Sequence, residues 1–131
     1  MTILIFSFSY KRGLPSDLGP DGGGFVFDCR VLPNPFWVKD LREYTGRDQP
    51  VIDFFAAHTD AVSAFLKPVE DLVRNSIAVY AQDARERLSV GFGCTGGKHR
   101  SVYCAEALAG ALRDHEGVTV ELVHTALPAV R

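Results

Sequence analysis

Leu88-Ser89-Val90-Gly91-Phe92, followed by Gly93-Cys94-Thr95-Gly96-Gly97-Lys98-His99-Arg100 and a helical pattern from Ser101 to about Arg113, is the run whose reading decides the fold. The first piece is short, apolar and suited to a buried strand. The second carries the glycines and small polar residues of a loop. In the third, Val102, Ala105, Leu108, Ala109 and Leu112 recur at helical spacing and face inward. A strand, a glycine-containing loop and a helix start, in that order, suit an anion. The first helical N–H groups lack intrahelical partners, and the helix dipole places partial positive charge beside them. Lys98 and Arg100 add full charges, so a phosphate is the ligand expected there.

Working outward, Ile3–Phe8 reads as a first buried strand and Phe25–Arg30 as a second. Val118–Val123 reads as a fourth, with Leu88–Phe92 as the third. Between them, Pro50 to about Ala57 is expected as a short helix. Thr59 or Asp60 is expected to cap a longer one reaching about Arg87. Ala61, Phe65, Val69, Leu72, Val73, Ile77 and Tyr80 form its apolar stripe. Pro68 lies inside that stripe and predicts a kink or break. Gly19-Pro20-Asp21-Gly22-Gly23-Gly24 reads as a flexible turn, and Pro33-Asn34-Pro35 forbids a regular element. Strands separated by helices give an α/β class: a single-layer sheet, mixed or mostly parallel, flanked by helices. In such sheets the ligand crevice lies beyond the carboxyl ends of the strands. The loops after Phe8, after Arg30 and at Cys94 are therefore expected to share one site.

A chain of 131 residues, 47% apolar and 23% charged, fits one globular domain spanning residues 1–131 with a real core. The formal net charge of −2 argues against indiscriminate nucleic-acid binding by bulk charge and leaves room for a local basic face. Cys29, Cys94 and Cys104 show no paired spacing and read as reduced thiols of a cytoplasmic protein. The N-terminal residues lack the charge pattern of a signal peptide, and no apolar run is long enough for a membrane span. No cofactor is expected.

The Cys94 loop fails the Walker A pattern, because His99 follows Lys98 and Phe92 stands where the first glycine belongs. Gly91, Gly93 and Gly96 supply the glycines of a dinucleotide pattern, a weak signal by itself. A sharper match is to the C-x5-R-[ST] loop of protein tyrosine phosphatases, with Cys94, Arg100 and Ser101 in the three positions. That loop would make Cys94 a nucleophile activated by a helix start and a cation. Its general acid would have to come from elsewhere, with Asp28 or Asp48 as candidates. The plainer reading makes Cys94 a small residue in a cradle that binds without reacting, since binding needs only amides and charges.

Other residues carry paired readings. His99 is either a ligand contact or a helix-start histidine bonded to backbone. Asp28 and Arg30, two apart on one strand face, either meet a sugar hydroxyl or phosphate or form a salt bridge with another loop. Phe36-Trp37 reads first as an apolar lid over the core and second as a platform for base stacking. Lys11, Arg12, Arg30, Arg47, Lys98 and Arg100 all lie in these polar segments. If the segments converge, they make a basic patch suited to RNA or a phosphorylated metabolite.

Ser7–Pro15, Val26–Trp37, Leu41–Asp48 and Gly93–Glu106 together, in this order, resemble the C-terminal domain of the RNase adapter protein RapZ family. The resemblance implies a fold like a phosphofructokinase subdomain. It implies a domain that binds small regulatory RNA and the amino-sugar phosphate glucosamine-6-phosphate, associates with itself and, in some relatives, presents RNA to RNase E. Carried over by position, the sugar phosphate would sit on Thr95, Gly96, Gly97, His99 and Arg100, with Asp28 and Arg30 lining the pocket. Lys11, Arg47 and Lys98 would help face RNA. Full-length relatives also carry a P-loop nucleotide-binding domain. That domain is not recognisable in this chain, so a separate nucleotide-binding protein is a candidate partner, and ATP or GTP binding does not carry over. Phe36 stands where some relatives have histidine. The expected function is a non-catalytic binding or regulatory domain for a phosphorylated ligand; the alternative is a cysteine-dependent phosphatase using Cys94 and Arg100, with Asp28 as acid.

Overall fold

The computed structural model describes residues 1–15 and 24–128. Four strands, β1 (Thr2–Ser9), β2 (Gly24–Asp28), β3 (Arg87–Cys94) and β4 (Thr119–His124), form one sheet in the order β2-β3-β1-β4. Every neighbouring pair is parallel. The α/β expectation holds, and the sheet is parallel throughout. Among the described residues, three helices flank it: α1 (Gln49–Ala56), α2 (Thr59–Gln82) and α3 (Arg100–Leu112).

Each element follows from local sequence. Ile3 and Ile5 of β1 alternate onto the core face and are fully buried. β3 is buried along nearly all of its length, as expected for an inner strand of a parallel sheet. Val102, Ala105, Leu108, Ala109 and Leu112 of α3 are all buried, as their spacing predicts, and α3 packs across β1, β3 and β4. Along α2 the buried stripe is Val69, Val73 and Ile77, with Val62, Phe65, Leu66 and Tyr80 packed at its margins. Ala61 and Leu72, expected inward, are exposed. The helix continues through Pro68 without interruption. Pro68 and Ala64 are both exposed, so solvent can take the Ala64 carbonyl that a proline cannot satisfy.

β2 ends at Asp28, two residues earlier than expected, and the chain tightens into 3-10 turns at Cys29–Val31, Pro35–Trp37 and Lys39–Leu41. Asp28 and Asn34 nucleate the first two by accepting the N–H of the second residue on, Arg30 and Phe36. The glycine-rich turn expected around residues 19–24 lies outside the described residues except for Gly24. Among the described residues no helix is long and apolar enough to cross a membrane.

Candidate anion-binding site

The parallel register sets Ser9 beside Cys94, so the chains leaving β1 and β3 start next to each other. Tyr10 N–H donates to the Cys94 carbonyl, and Ser9 Oγ donates to the Thr95 carbonyl at 2.7 Å. The 3-10 segment after β2 closes a third side. Together they enclose a cleft of about 330 Å³ at the carboxyl end of the sheet, where parallel sheets place their ligands. Lys11 comes from the first segment, Asn34, Phe36 and Arg42 from the second, and Cys94, Thr95, Gly96, Lys98, His99 and Arg100 from the third. The convergence of three loops expected from sequence is met.

Gly97 turns the loop with φ +69, the left-handed region that a side chain strains to enter. A Cβ there would also sit 2.7 Å from Ala126 Cβ and 2.8 Å from Ser9 N. Gly97 is thus a packing residue and does not line the cleft. The loop is braced from outside by Gly46, whose N–H donates to the Lys98 carbonyl. A Cβ on Gly46 would collide with the His99 carbonyl and Tyr103 N.

Arg100, at the first position of α3, is 7% exposed. Its Nη1 donates to the carbonyls of Arg30 at 3.0 Å and Leu32 at 3.4 Å. It therefore lines the cleft and also ties the segment after β2 to α3. His99, the residue preceding α3, is 6% exposed, and its Nε2 has no hydrogen-bond partner among the described residues. Burial holds its imidazole below the ordinary histidine value, so it is neutral near pH 7; the Tyr44 and Leu41 carbonyls oppose that shift, and Lys98 and Arg100 reinforce it.

Cys94 is buried, with its Sγ 3.2 Å from Ser101 Oγ and accepting the Ser101 N–H at 3.4 Å. Ser101 is itself fully buried behind it. Both candidate general acids are engaged in local bonds. Asp28 is doubly bonded to the Arg30 guanidinium, at 2.7 Å and 2.9 Å, and that bonding holds its carboxyl below the usual range. Asp48 Oδ2 accepts the Thr45 N–H at 2.7 Å as part of the turn entering α1. An acid catalyst must carry its proton at working pH, which the paired Asp28 does not.

Several expected placements are corrected. Asp28 and Arg30 do not line the cleft. The turn at Cys29 takes Arg30 off the strand, where it pairs with Asp28 and stacks 4.1 Å from the Tyr10 ring centre. Arg47 faces a separate cleft with Arg113 and His124, its Nε 3.7 Å from Glu106 Oε1. Arg12 is exposed and lines neither cleft. Phe36 and Trp37 are 52% and 76% exposed, so they are no lid over the core; Phe36 forms a wall of the cleft and Trp37 projects outward.

Arg42 is the functional candidate that sequence reading missed. Its guanidinium stacks 4.6 Å from the Phe36 ring centre, and its Nε donates to the Phe36 carbonyl at 2.7 Å. Lys98 Nζ donates to the Arg42 carbonyl at 2.8 Å. The signal was the position of Arg42 one turn past Phe36-Trp37, in the same proline-started segment.

Comparison with known proteins identifies the family. The RapZ C-terminal domain model matches residues 1–128. A nucleotide-binding protein of Thiobacillus denitrificans is 45% identical over 120 residues, 92% of this chain and 41% of that protein. One of Chromobacterium violaceum is 41% identical over 116 residues, 88% of this chain and 39% of that protein. One of Xylella fastidiosa is 40% identical over 127 residues, 97% of this chain and 42% of that protein. The chain spans about two fifths of the length of these relatives. It belongs to the RapZ C-terminal domain family.

Proposed function

We propose that this is a non-catalytic, regulatory binding domain whose cleft holds the phosphoryl group of a phosphosugar such as glucosamine-6-phosphate, or a phosphate of a small regulatory RNA. One observation carries the reading: among the described residues, Lys11, Arg42, Lys98 and Arg100 line the cleft and no carboxylate does. The start of α3 at Arg100, with His99 before it, adds the dipole preference for anions. In this reading Cys94 is a cradle residue, Thr95, Gly96, Lys98, His99 and Arg100 meet the ligand, and Ser101 and Gly97 support the loop. Asp28 and Arg30 act from behind, by fixing the carbonyl that Arg100 grips. Lys11 and Lys98, with Arg12 and Arg47 further out, would meet an RNA backbone. Family membership supports self-association and partners such as RNase E or a separate nucleotide-binding protein as parts of the same proposal.

The test is titration calorimetry of the folded chain with glucosamine-6-phosphate and, separately, a structured small RNA. Saturable binding of either, lost in Arg100→Met, supports the reading. No heat with either, from a protein with a cooperative melting transition, overturns it.

A further inference from the structure

We infer that the cleft beside α3 and the edge strand β4 is a second ligand site, taking a small organic compound with one carboxylate and an apolar body, with His124 and Arg113 meeting the carboxylate. Among the described residues this cleft shares no lining residue with the anion site, and the inference stands independently of the function proposed above.

The first argument is an orphaned donor. His124, the last residue of β4, has a side chain only 8% exposed, and its Nε2 has no hydrogen-bond partner among the described residues. Its Nδ1 lies 2.6 Å from Oγ of the fully buried Ser7. Nδ1 is the single acceptor that this hydroxyl reaches among the described residues, so Ser7 donates and Nδ1 is bare. Burial holds the ring below the ordinary histidine value; Glu106 opposes that shift and Arg47 adds to it. The neutral ring therefore carries its proton on Nε2. That N–H is directed at Glu106 Oε2, which lines the cleft at 3.7 Å, beyond hydrogen-bond reach. A buried N–H facing a cleft without an acceptor is completed by a ligand that brings one.

The second argument is the company His124 keeps. The cleft holds about 560 Å³, within the range of small-molecule pockets, roughly 300–1,000 Å³. Arg113, just past the end of α3, is exposed and has no ion pair among the described residues. Its planar guanidinium suits a carboxylate, which can accept two of its N–H groups at once. Leu122, Val123, Leu127 and Pro128 give the cleft an apolar wall. Donors beside a hydrocarbon surface select a ligand with an acceptor head and an apolar body. Glu106 sets the charge of that head. It lies 3.7 Å from Arg47 Nε and already offsets that guanidinium, and its own charge repels a dianionic phosphate more than a single carboxylate.

The probe is hexanoate, titrated by calorimetry into the full chain beside hexanamide and dimethyl phosphate. We expect hexanoate to bind at least tenfold more tightly than either. Arg113→Ala should weaken it at least fivefold. His124→Asn should do the same, whereas His124→Gln, whose amide nitrogen reaches the position of Nε2, should stay within twofold of the parent. Melting curves on each variant confirm folding before its affinity is read. Saturating glucosamine-6-phosphate should leave hexanoate binding unchanged. Displacement of hexanoate by the sugar phosphate places it in the anion site and overturns the inference. Equal affinity for hexanoate and hexanamide overturns the carboxylate assignment, and dimethyl phosphate binding as tightly as hexanoate makes the cleft a phosphodiester contact instead. Equal loss in His124→Asn and His124→Gln overturns the role of Nε2. Absence of saturable hexanoate binding to the folded chain overturns the inference while leaving the anion site standing.

Discussion

Arg100 Nη1 donates to the Arg30 carbonyl at 3.0 Å, across 70 positions of sequence. The guanidinium that faces the cleft therefore also holds the segment carrying Asn34, Phe36 and Arg42 in place. Ligand contact and loop position share one side chain, and Arg30 supplies its backbone where its side chain was expected.

Arg100→Met should therefore lose both binding and stability. Breaking the bonds to the Arg30 and Leu32 carbonyls costs about 2–4 kcal/mol, since each is charge-assisted and largely buried. Arg100→Lys should fail similarly, because one ammonium cannot reproduce the planar fork. Chemical denaturation checks this; a midpoint unchanged from the parent contradicts the structural role.

Gly96 and Gly97 should separate binding from folding. Gly97→Ala combines a left-handed backbone with overpacking against Ala126 and Ser9, and should destabilise by about 2–4 kcal/mol. A Cβ on Gly96 meets open space, so Gly96→Ala should fold normally. Gly96 lines the cleft, however, and the added methyl should weaken phosphate binding about tenfold, the worth of one charge-assisted hydrogen bond. Melting curves and calorimetry on the two variants read both effects; identical behaviour of the pair contradicts the assignment.

Stability should decline on mild acidification. His99 and His124 are both held below the ordinary histidine value, chiefly by burial; Glu106 raises His124 and Arg47 lowers it. The unfolded chain then binds protons that these folded imidazoles resist. Their contribution is fully present above about pH 6.5 and is lost as pH falls through their lower folded values. Asp28 acts in the same direction, but only below about pH 4. Melting midpoints at about pH 8, 6 and 5 should fall in that order, and less steeply in His124→Asn, which removes the partner of Ser7 Oγ. Midpoints that rise on acidification through this window contradict the prediction.

Cys94 should prove dispensable for binding and inert toward aryl phosphates. Its sulfur is engaged with Ser101, and the paired Asp28 has no proton to give. Cys94→Ser should keep phosphate affinity within about threefold, because a hydroxyl can take the same Ser101 contacts. Hydrolysis of p-nitrophenyl phosphate by the parent that vanishes in Cys94→Ser would restore the phosphatase reading.

Much of the fold was legible in sequence. The inward residues of α3 and the four strands carry periodicities that depend on a few neighbouring positions, and burial follows them. The stripe of α2 was read less well. Leu72 fits the helical spacing but faces outward, because the width of a buried face is set by what packs on it. Within the site, Lys11, Lys98, His99 and Arg100 were found from charge and loop position. Asp28 and Arg30 lie outside the cleft lining because Asp28 captures the Arg30 N–H and guanidinium, a local bond at the end of the strand. Arg42 carried no motif, and only its tertiary contacts with Phe36 and Lys98 bring it to the cleft.

The sequence by itself determined a strand, a glycine-containing cationic loop and a helix start, and with them a mixed or mostly parallel α/β layer and its family. Those are short-range properties, encoded within one or two turns of chain. Which side chains meet at the cleft was decided only by the strand order β2-β3-β1-β4, with Ser9 set beside Cys94 and the segment after β2 bound by Arg100. Parallel strands pair through long crossovers, so the contacts that build the cleft join residues far apart in the chain. No local pattern reports them.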